Sequence, residues 1–229
     1  AASALHAMST APPLPAFAAV VVAAGKGLRA GQPLPKQFAM WRGKPVLRHS
    51  VEHLLEAGAD RIVIAIAPDA KDLAREATAG LENILFVEGG DTRRASVASG
   101  LEALALDPPE AVLIHDAARP TLPQPVIDRV LAALATHPGA IPALEVVDTI
   151  ARTKDGVMTG QEDRNTLARV QTPQGFVFDD ILAAHRAWDN PSEPTDDAQV
   201  LRASGGEVAV AVGGHQPGNA DRRHEDRAG

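Results

Sequence analysis

Cysteine is missing from all 229 residues, which excludes both a disulfide framework and a thiolate metal site. Any metal would have to sit on oxygen or imidazole ligands. Also missing is an apolar run long enough to span a bilayer, and residues 1–16 (AASALHAMSTAPPLPA) lack the charged start and apolar stretch of an export signal. These absences lead to the expectation of a cytoplasmic chain with no membrane partner. Positive charge is not in surplus either: a net charge of −7 argues against a cationic surface that tracks nucleic acid. A small anion is a different matter, because two or three local cations and some free backbone N–H groups suffice to bind one.

What is present is an ordinary globular composition, 45% hydrophobic and 22% charged, enough for one domain with a real core. Residues 1–16 read as a disordered leader, 17–213 as a single domain, and 214–229, polar and without apolar period, as a loose tail. Within the domain, compact apolar runs alternate with segments of helical period. Strands are expected at 17–24, 61–67, 84–87, 111–115, 140–146 and 207–212, and helices at 45–57, 69–79, 91–106, 125–136 and 178–188. This alternation predicts an α/β fold, a mostly parallel doubly wound (Rossmann-like) sheet with helices on both faces. Residues 147–170 break the pattern with alternating residues and turn formers. They are expected to leave the body as a β-arm, whose exposed apolar side chains a symmetric homodimer would cover.

Three blocks stand where strands end, the place at which such sheets bind ligands. The first is Ala23-Ala24-Gly25-Lys26-Gly27-Leu28-Arg29, followed by Lys36. Small residues there let backbone N–H groups approach a phosphate, although a tight turn with two solvated cations would look the same. Neither the dinucleotide fingerprint nor the Walker loop fits its spacing. The second, Gly89-Gly90-Asp91-Thr92-Arg93-Arg94-Ala95-Ser96, ends a strand in a glycine pair, with Asp91 expected to cap the next helix. The third, His115-Asp116-Ala117-Ala118-Arg119-Pro120, offers a carboxylate suited to Mg²⁺ beside bound phosphates, or else a plain surface pair between Asp116 and Arg119.

Taken together and in this order, the blocks resemble the 2-C-methyl-D-erythritol 4-phosphate cytidylyltransferase family. The resemblance runs from about Ala19 to Val212. Besides AAGKGLR with PKQ, GGDTRRAS and HDAARP, it includes VVDT at 146–149, EDRN at 162–165, QTPQGF at 171–176 and TDDA at 195–198. It implies transfer of CMP from CTP to a polyol phosphate, with Mg²⁺ as cofactor. Ala23, Ala24, Gly25 and Gly27 would cradle CTP, with Arg29 and Lys36 on its triphosphate, and Gly90, Asp91 and Ser96 would face cytosine and ribose. Asp116 would meet Mg²⁺ and the sugar phosphate, and Arg119, Thr149 and Arg164 would lie on the acceptor side. Arg29, Lys36 and Arg164 would be the catalytic groups, some of the acceptor-side ones coming from the arm of a partner subunit.

One departure concerns the end of the chain. The family's Asn-x-Lys is replaced after Asn219 by Ala220-Asp221-Arg222-Arg223, so either arginine substitutes for the lysine or catalysis is impaired and a CTP-binding homologue remains. A ribitol-5-phosphate cytidylyltransferase would share nearly the same blocks. A further class enters through His49-Ser50-Val51-Glu52-His53, which matches the inverted zinc-peptidase pattern. Its helix, however, already has an apolar stripe to explain it, and no distal third ligand is suggested.

Overall fold

The computed structural model describes residues 13–25 and 34–214. The expectations placed on Gly27, Arg29, most of the leader, and the tail with Arg222 and Arg223 lie outside the described residues.

The chain opens with β1 (Phe17–Ala23), then a 3₁₀ turn at Lys36–Phe38 and a small hairpin of β2 (Met40–Trp41) and β3 (Lys44–Pro45). There follow α1 (Val46–Glu56), β4 (Arg61–Ile66), α2 (Lys71–Ala77), β5 (Ile84–Glu88), α3 (Arg93–Leu104) and β6 (Ala111–Asp116). Next come α4 (Gln124–Ala133), β7 (Gly139–Glu145), β8 (Ile150–Lys154), β9 (Val157–Glu162) and β10 (Ala168–Val170). The last elements are β11 (Gln174–Val177), α5 (Phe178–Arg186), α6 (Asp197–Ala203) and β12 (Val208–Val212).

Eight strands make the central sheet in the order β10-β7-β11-β6-β1-β4-β5, with β12 also on β7. Pairs β1–β4, β1–β6, β4–β5 and β12–β7 are parallel. β11 runs antiparallel to both β6 and β7, and β10 antiparallel to β7. Strand alternation explains why β1 is apolar throughout. Its Phe17, Ala19, Val21 and Ala23 join one core with Leu47, Val51 and Leu54 of α1 and Ile127 and Leu131 of α4. The intervening Ala18 and Val20 join a second core with Val97 and Leu101 of α3 and Phe178 and Ile181 of α5. A strand covered on both faces has no room for a polar alternation.

The expected strands and helices appear within one to three residues of their expected ends. α1 stops where Gly58 takes φ +93°, and Ala59 N–H reaches back to the Leu54 carbonyl, a helix end that only a residue free to enter the left-handed region makes cheaply. The Asp91 cap is a correction. Thr92 is the N-cap of α3: its backbone is extended and its Oγ1 accepts from Ala95 N–H at 3.1 Å. Asp91 is left exposed. The segment at 147–170 contains no α-helix. β8 and β9 form a two-stranded sheet of their own, and the chain rejoins the main sheet through β10. Among the described residues no helix is long and apolar enough to cross a membrane. Gly214 is held by the Gln171 side chain, which donates to its carbonyl at 3.0 Å and accepts its N–H at 3.2 Å.

Candidate functional site

The chain runs from β1 outward through β4 and β5 and then returns to the other side of β1 with β6, so the crevice of the sheet opens between β1 and β6. There, at the carboxyl ends of the parallel strands, lies a cleft of about 760 Å³. Its wall carries Ala23, Ala24 and Gly25 after β1, Lys36, then Gly89, Gly90 and Asp91 after β5, Arg93 and Ser96 of α3, and Asp116 at the end of β6. Every described residue expected at the nucleotide is therefore on this one cleft.

Local chemistry fixes each of these groups. Gln37 is buried, and its amide donates one hydrogen to the Ala23 carbonyl at 2.7 Å and the other to the Gly25 carbonyl at 3.0 Å. This ties the turn that carries Lys36 to the backbone after β1. Gly89 stands where a Cβ would come within 2.4 Å of Ala24 Cβ and 2.8 Å of Ser96 Oγ, so a bare backbone is required for β1 and α3 to approach. The Ser96 hydroxyl donates to the Thr92 carbonyl at 2.9 Å and toward that of Gly90 at 3.3 Å, which shapes the glycine turn from beneath.

Asp116 is the hub of the charges. Arg93 Nε donates to its Oδ1 at 3.1 Å, while Arg119 Nε stands 3.4 Å from its Oδ2. Arg93 also donates from Nη1 to Asp197 Oδ2 at 2.7 Å, and Asp197 Oδ1 receives His185 Nε2 at 3.2 Å. Burial works against the charge on Arg93, yet Asp197 and Asp116 outweigh it and raise its pKa. Burial likewise pushes the Asp197 carboxyl up, and the His185 hydrogen bond with the Arg93 charge more than reverses this, leaving it lowered. One residue back, His115 is wholly buried, with Nε2 against the Arg119 carbonyl at 2.9 Å and Nδ1 against Thr172 Oγ1 at 3.0 Å.

The remaining expected residues are placed elsewhere. Thr149 and Arg164 are not on the wall of the cleft. Thr149 is exposed just before β8, and Arg164 lines a separate hollow with Glu145, Val147 and Asn165, its Nη1 donating to the Val147 carbonyl at 2.7 Å. Arg93, Asp197, His185 and Gln37 had no role assigned from sequence. A signal for three of them did exist, in PKQ, in the second half of GGDTRRAS and in TDDA.

No group of three or more His, Asp or Glu converges to form an all-protein metal cage among the described residues. The cleft offers Asp116 at the end of β6, and its wall also carries Glu88 and Asp91. That donor set suits Mg²⁺, which takes one or two carboxylates and leaves its other positions to water and phosphate oxygens. It does not suit zinc. Nor does the H-x-x-E-H stretch form a zinc site, since His49 Nε2 and His53 Nδ1 both sit 2.7 Å from backbone carbonyls and Glu52 pairs with Lys44 and Arg48.

A family model described as 2-C-methyl-D-erythritol 4-phosphate cytidylyltransferase matches residues 17–218. A bifunctional enzyme IspD/IspF of Erythrobacter litoralis is 61% identical over 206 residues, which are 90% of this chain and 53% of that protein. The chain thus spans about half the length of the bifunctional relatives it matches. A 2-C-methyl-D-erythritol 4-phosphate cytidylyltransferase of Cereibacter sphaeroides (strain ATCC 17023) is 48% identical over 199 residues, covering 86% of this chain and 87% of the relative. The crystal structure of the Thermus thermophilus protein of that name superposes with a TM-score of 0.75 at 31% identity, covering 93% of this chain and 98% of the other.

Proposed function

The chain belongs to the 2-C-methyl-D-erythritol 4-phosphate cytidylyltransferase family, and from that membership we propose that it transfers CMP from CTP to 2-C-methyl-D-erythritol 4-phosphate, releasing pyrophosphate, as a step of isoprenoid precursor synthesis. The observation that carries the proposal is the convergence of Lys36, the Gly89-Gly90-Asp91 turn and Asp116 on one cleft at the open end of the sheet. The proposal concerns this domain alone.

The physical problem is repulsion between anions. The acceptor phosphate, with a second pKa near 6, is already a nucleophile at neutral pH and needs no general base. It must approach a triphosphate of the same sign, and charge then moves onto departing pyrophosphate in an in-line displacement. A cation about 4 Å from a unit negative charge gains roughly 4 kcal/mol at an effective dielectric of 20, so each such group is worth orders of magnitude in rate. Lys36, with Arg29 of the AAGKGLR block, steadies the triphosphate and the α-phosphate under attack. The turn at 89–91 and Ser96 take the nucleoside. Mg²⁺, held by Asp116 and phosphate oxygens, would supply further neutralisation of the triphosphate.

Arg119 orients the acceptor, and we assign Thr149 and Arg164 to the same task in the neighbouring site of a homodimer, where the partner subunit's Arg164 would meet the attacking phosphate. Exposed Val147, Val157 and Met158 along the arm favour such a covered state. The same reading has the dimer working in the cytoplasm, with no nucleic-acid or membrane partner. A pyrophosphate-release assay crossing the four nucleoside triphosphates with methylerythritol phosphate and ribitol 5-phosphate tests the reading. Turnover is expected with CTP and methylerythritol phosphate. Preference for another base or for the ribitol acceptor, or CTP binding with no release, would contradict it.

A further inference from the structure

Asp197 does not line the cleft. Its side chain is 1% exposed, on the first residue of α6, 104 positions along the chain from the arginine it meets. An ion pair that takes one carboxylate wholly out of water needs a reason, because apolar residues of the same size often stabilise a core as well or better. The surroundings show a rigid mounting. Gln174 of β11 accepts Ala198 N–H at 3.0 Å and donates to Asp196 Oδ2 at 3.1 Å, and Asp196 caps α6 by accepting Gln199 N–H at 2.9 Å. His185 from α5 occupies the second Asp197 oxygen. The start of α6 is thereby fastened to the sheet, with one carboxylate oxygen aimed at Arg93.

The two carboxylates that Arg93 spans are unequal. Asp197 grips Nη1 at 2.7 Å from a dry site, whereas Asp116 takes Nε at 3.1 Å at the edge of the cleft. Only Oδ1 of Asp116 is committed in this way. Oδ2 has Arg119 at 3.4 Å, a looser contact with a side chain that is 40% exposed. The bridge fixes the rotation of the Asp116 carboxylate and leaves a defined oxygen for whatever enters.

We infer that Asp197 is the positioning residue of this site, holding Arg93 so that Arg93 occupies Oδ1 of Asp116 and Asp116 presents Oδ2 to the metal-bearing nucleotide. The inference rests on the proposed function. It assigns a purpose to the buried cluster that joins α3 to α5 and α6, two helices that otherwise only pack. It also separates two roles for one arginine: Arg93 lies on the cleft wall but spends its charge on carboxylates instead of phosphate.

The test is calorimetric titration of CTP with and without Mg²⁺, together with the Mg²⁺ dependence of pyrophosphate release, on wild type, Asp197→Asn and Arg93→Lys. Lysine keeps a cation beside both carboxylates but has no rigid fork to span them, so it gives the same readout should Asp197→Asn fail to accumulate. Each variant is expected to lose roughly 10-fold or more in Mg²⁺-supported CTP affinity and about 10- to 100-fold in kcat, the usual effect of removing a group that orients a ligand. Metal-free CTP binding should stay within about twofold, since no phosphate contact is removed. A lowered melting temperature with unchanged Mg²⁺ dependence would overturn the inference by leaving Asp197 a merely structural role. Equal losses with and without Mg²⁺ would also overturn it, by making Arg93 a direct phosphate ligand. If wild type itself neither binds CTP nor releases pyrophosphate, the proposed function falls and this inference with it; an active wild type with indifferent variants sinks the inference alone.

Discussion

His115 is the residue on which the HDAARP turn is folded. The Arg119 carbonyl can only accept, so Nε2 carries the ring proton and Nδ1 accepts from the Thr172 hydroxyl. Both nitrogens are used, and with Arg119 N–H on the Asp116 carbonyl at 3.0 Å they set the turn that presents Asp116 and Arg119. Burial, opposed by the Asp116 charge and the Arg119 hydrogen bond, lowers the imidazole to about 4. Because the folded value lies below the unfolded one near 6.5, the unfolded chain takes up its proton first as pH falls. The contribution to stability is complete above about pH 6.5 and shrinks as the pH falls toward 4. Urea denaturation at pH 7 and pH 4 should therefore show a steeper loss in wild type than in His115→Gln. Parallel pH dependences in the two proteins would contradict this.

At the scale of elements, β1, β5 and α3 meet so closely that the cleft floor depends on a missing side chain. Gly89→Ala places a Cβ 2.4 Å from Ala24 Cβ, and neither Ala24 nor the end of β1 has a flexible tip to give way. Overpacking of this kind costs about 1–3 kcal/mol, and here the displacement falls on Ala24, in the stretch that the proposed function gives to CTP. The expected result is a melting temperature lower by several degrees together with a CTP affinity at least about 10-fold weaker. An unchanged affinity would place the nucleotide away from that floor.

Most of these elements were legible in the sequence because β1, β4 and β6 are apolar on both faces and α1, α4 and α5 carry one apolar stripe each. Besides the two-residue strands β2 and β3, two elements escaped. β11 (QGFV) is four residues long, with a glycine and no alternation, and α6 is a seven-residue helix whose first turn begins with an acid committed to a buried pair. Asp91 was expected to cap α3 because it is an acid next to a glycine pair. The neighbouring Thr92 takes the cap instead, and propensity alone does not rank two adjacent capping residues. The gathering of Ala24, Gly25, Lys36, Gly90 and Ser96 on one cleft was readable for a physical reason: glycines and cations after strand ends lie close together in sequence. The Asp116–Arg93–Asp197–His185 chain was not, since its members are joined across 23, 104 and 12 positions and no local pattern announces them.

For the whole molecule, the fold separates two tasks. The sheet mounts the cleft that the proposed function gives to the nucleotide, while the hairpin of β8 and β9 carries exposed apolar residues and leads to the Arg164 hollow, lined also by Glu145 at the end of β7. Under the proposed function the acceptor side is completed between subunits, and an overall charge of −7 coexists with a site that gathers anions, because local cations decide binding at this range. The most direct measurement is the turnover of Lys36→Ala at saturating CTP and methylerythritol phosphate, with CTP affinity measured alongside. A cation that lets two phosphates meet should cost at least about 100-fold in kcat when removed. Near-normal turnover in that variant would contradict the assignment of this cleft to phosphoryl chemistry.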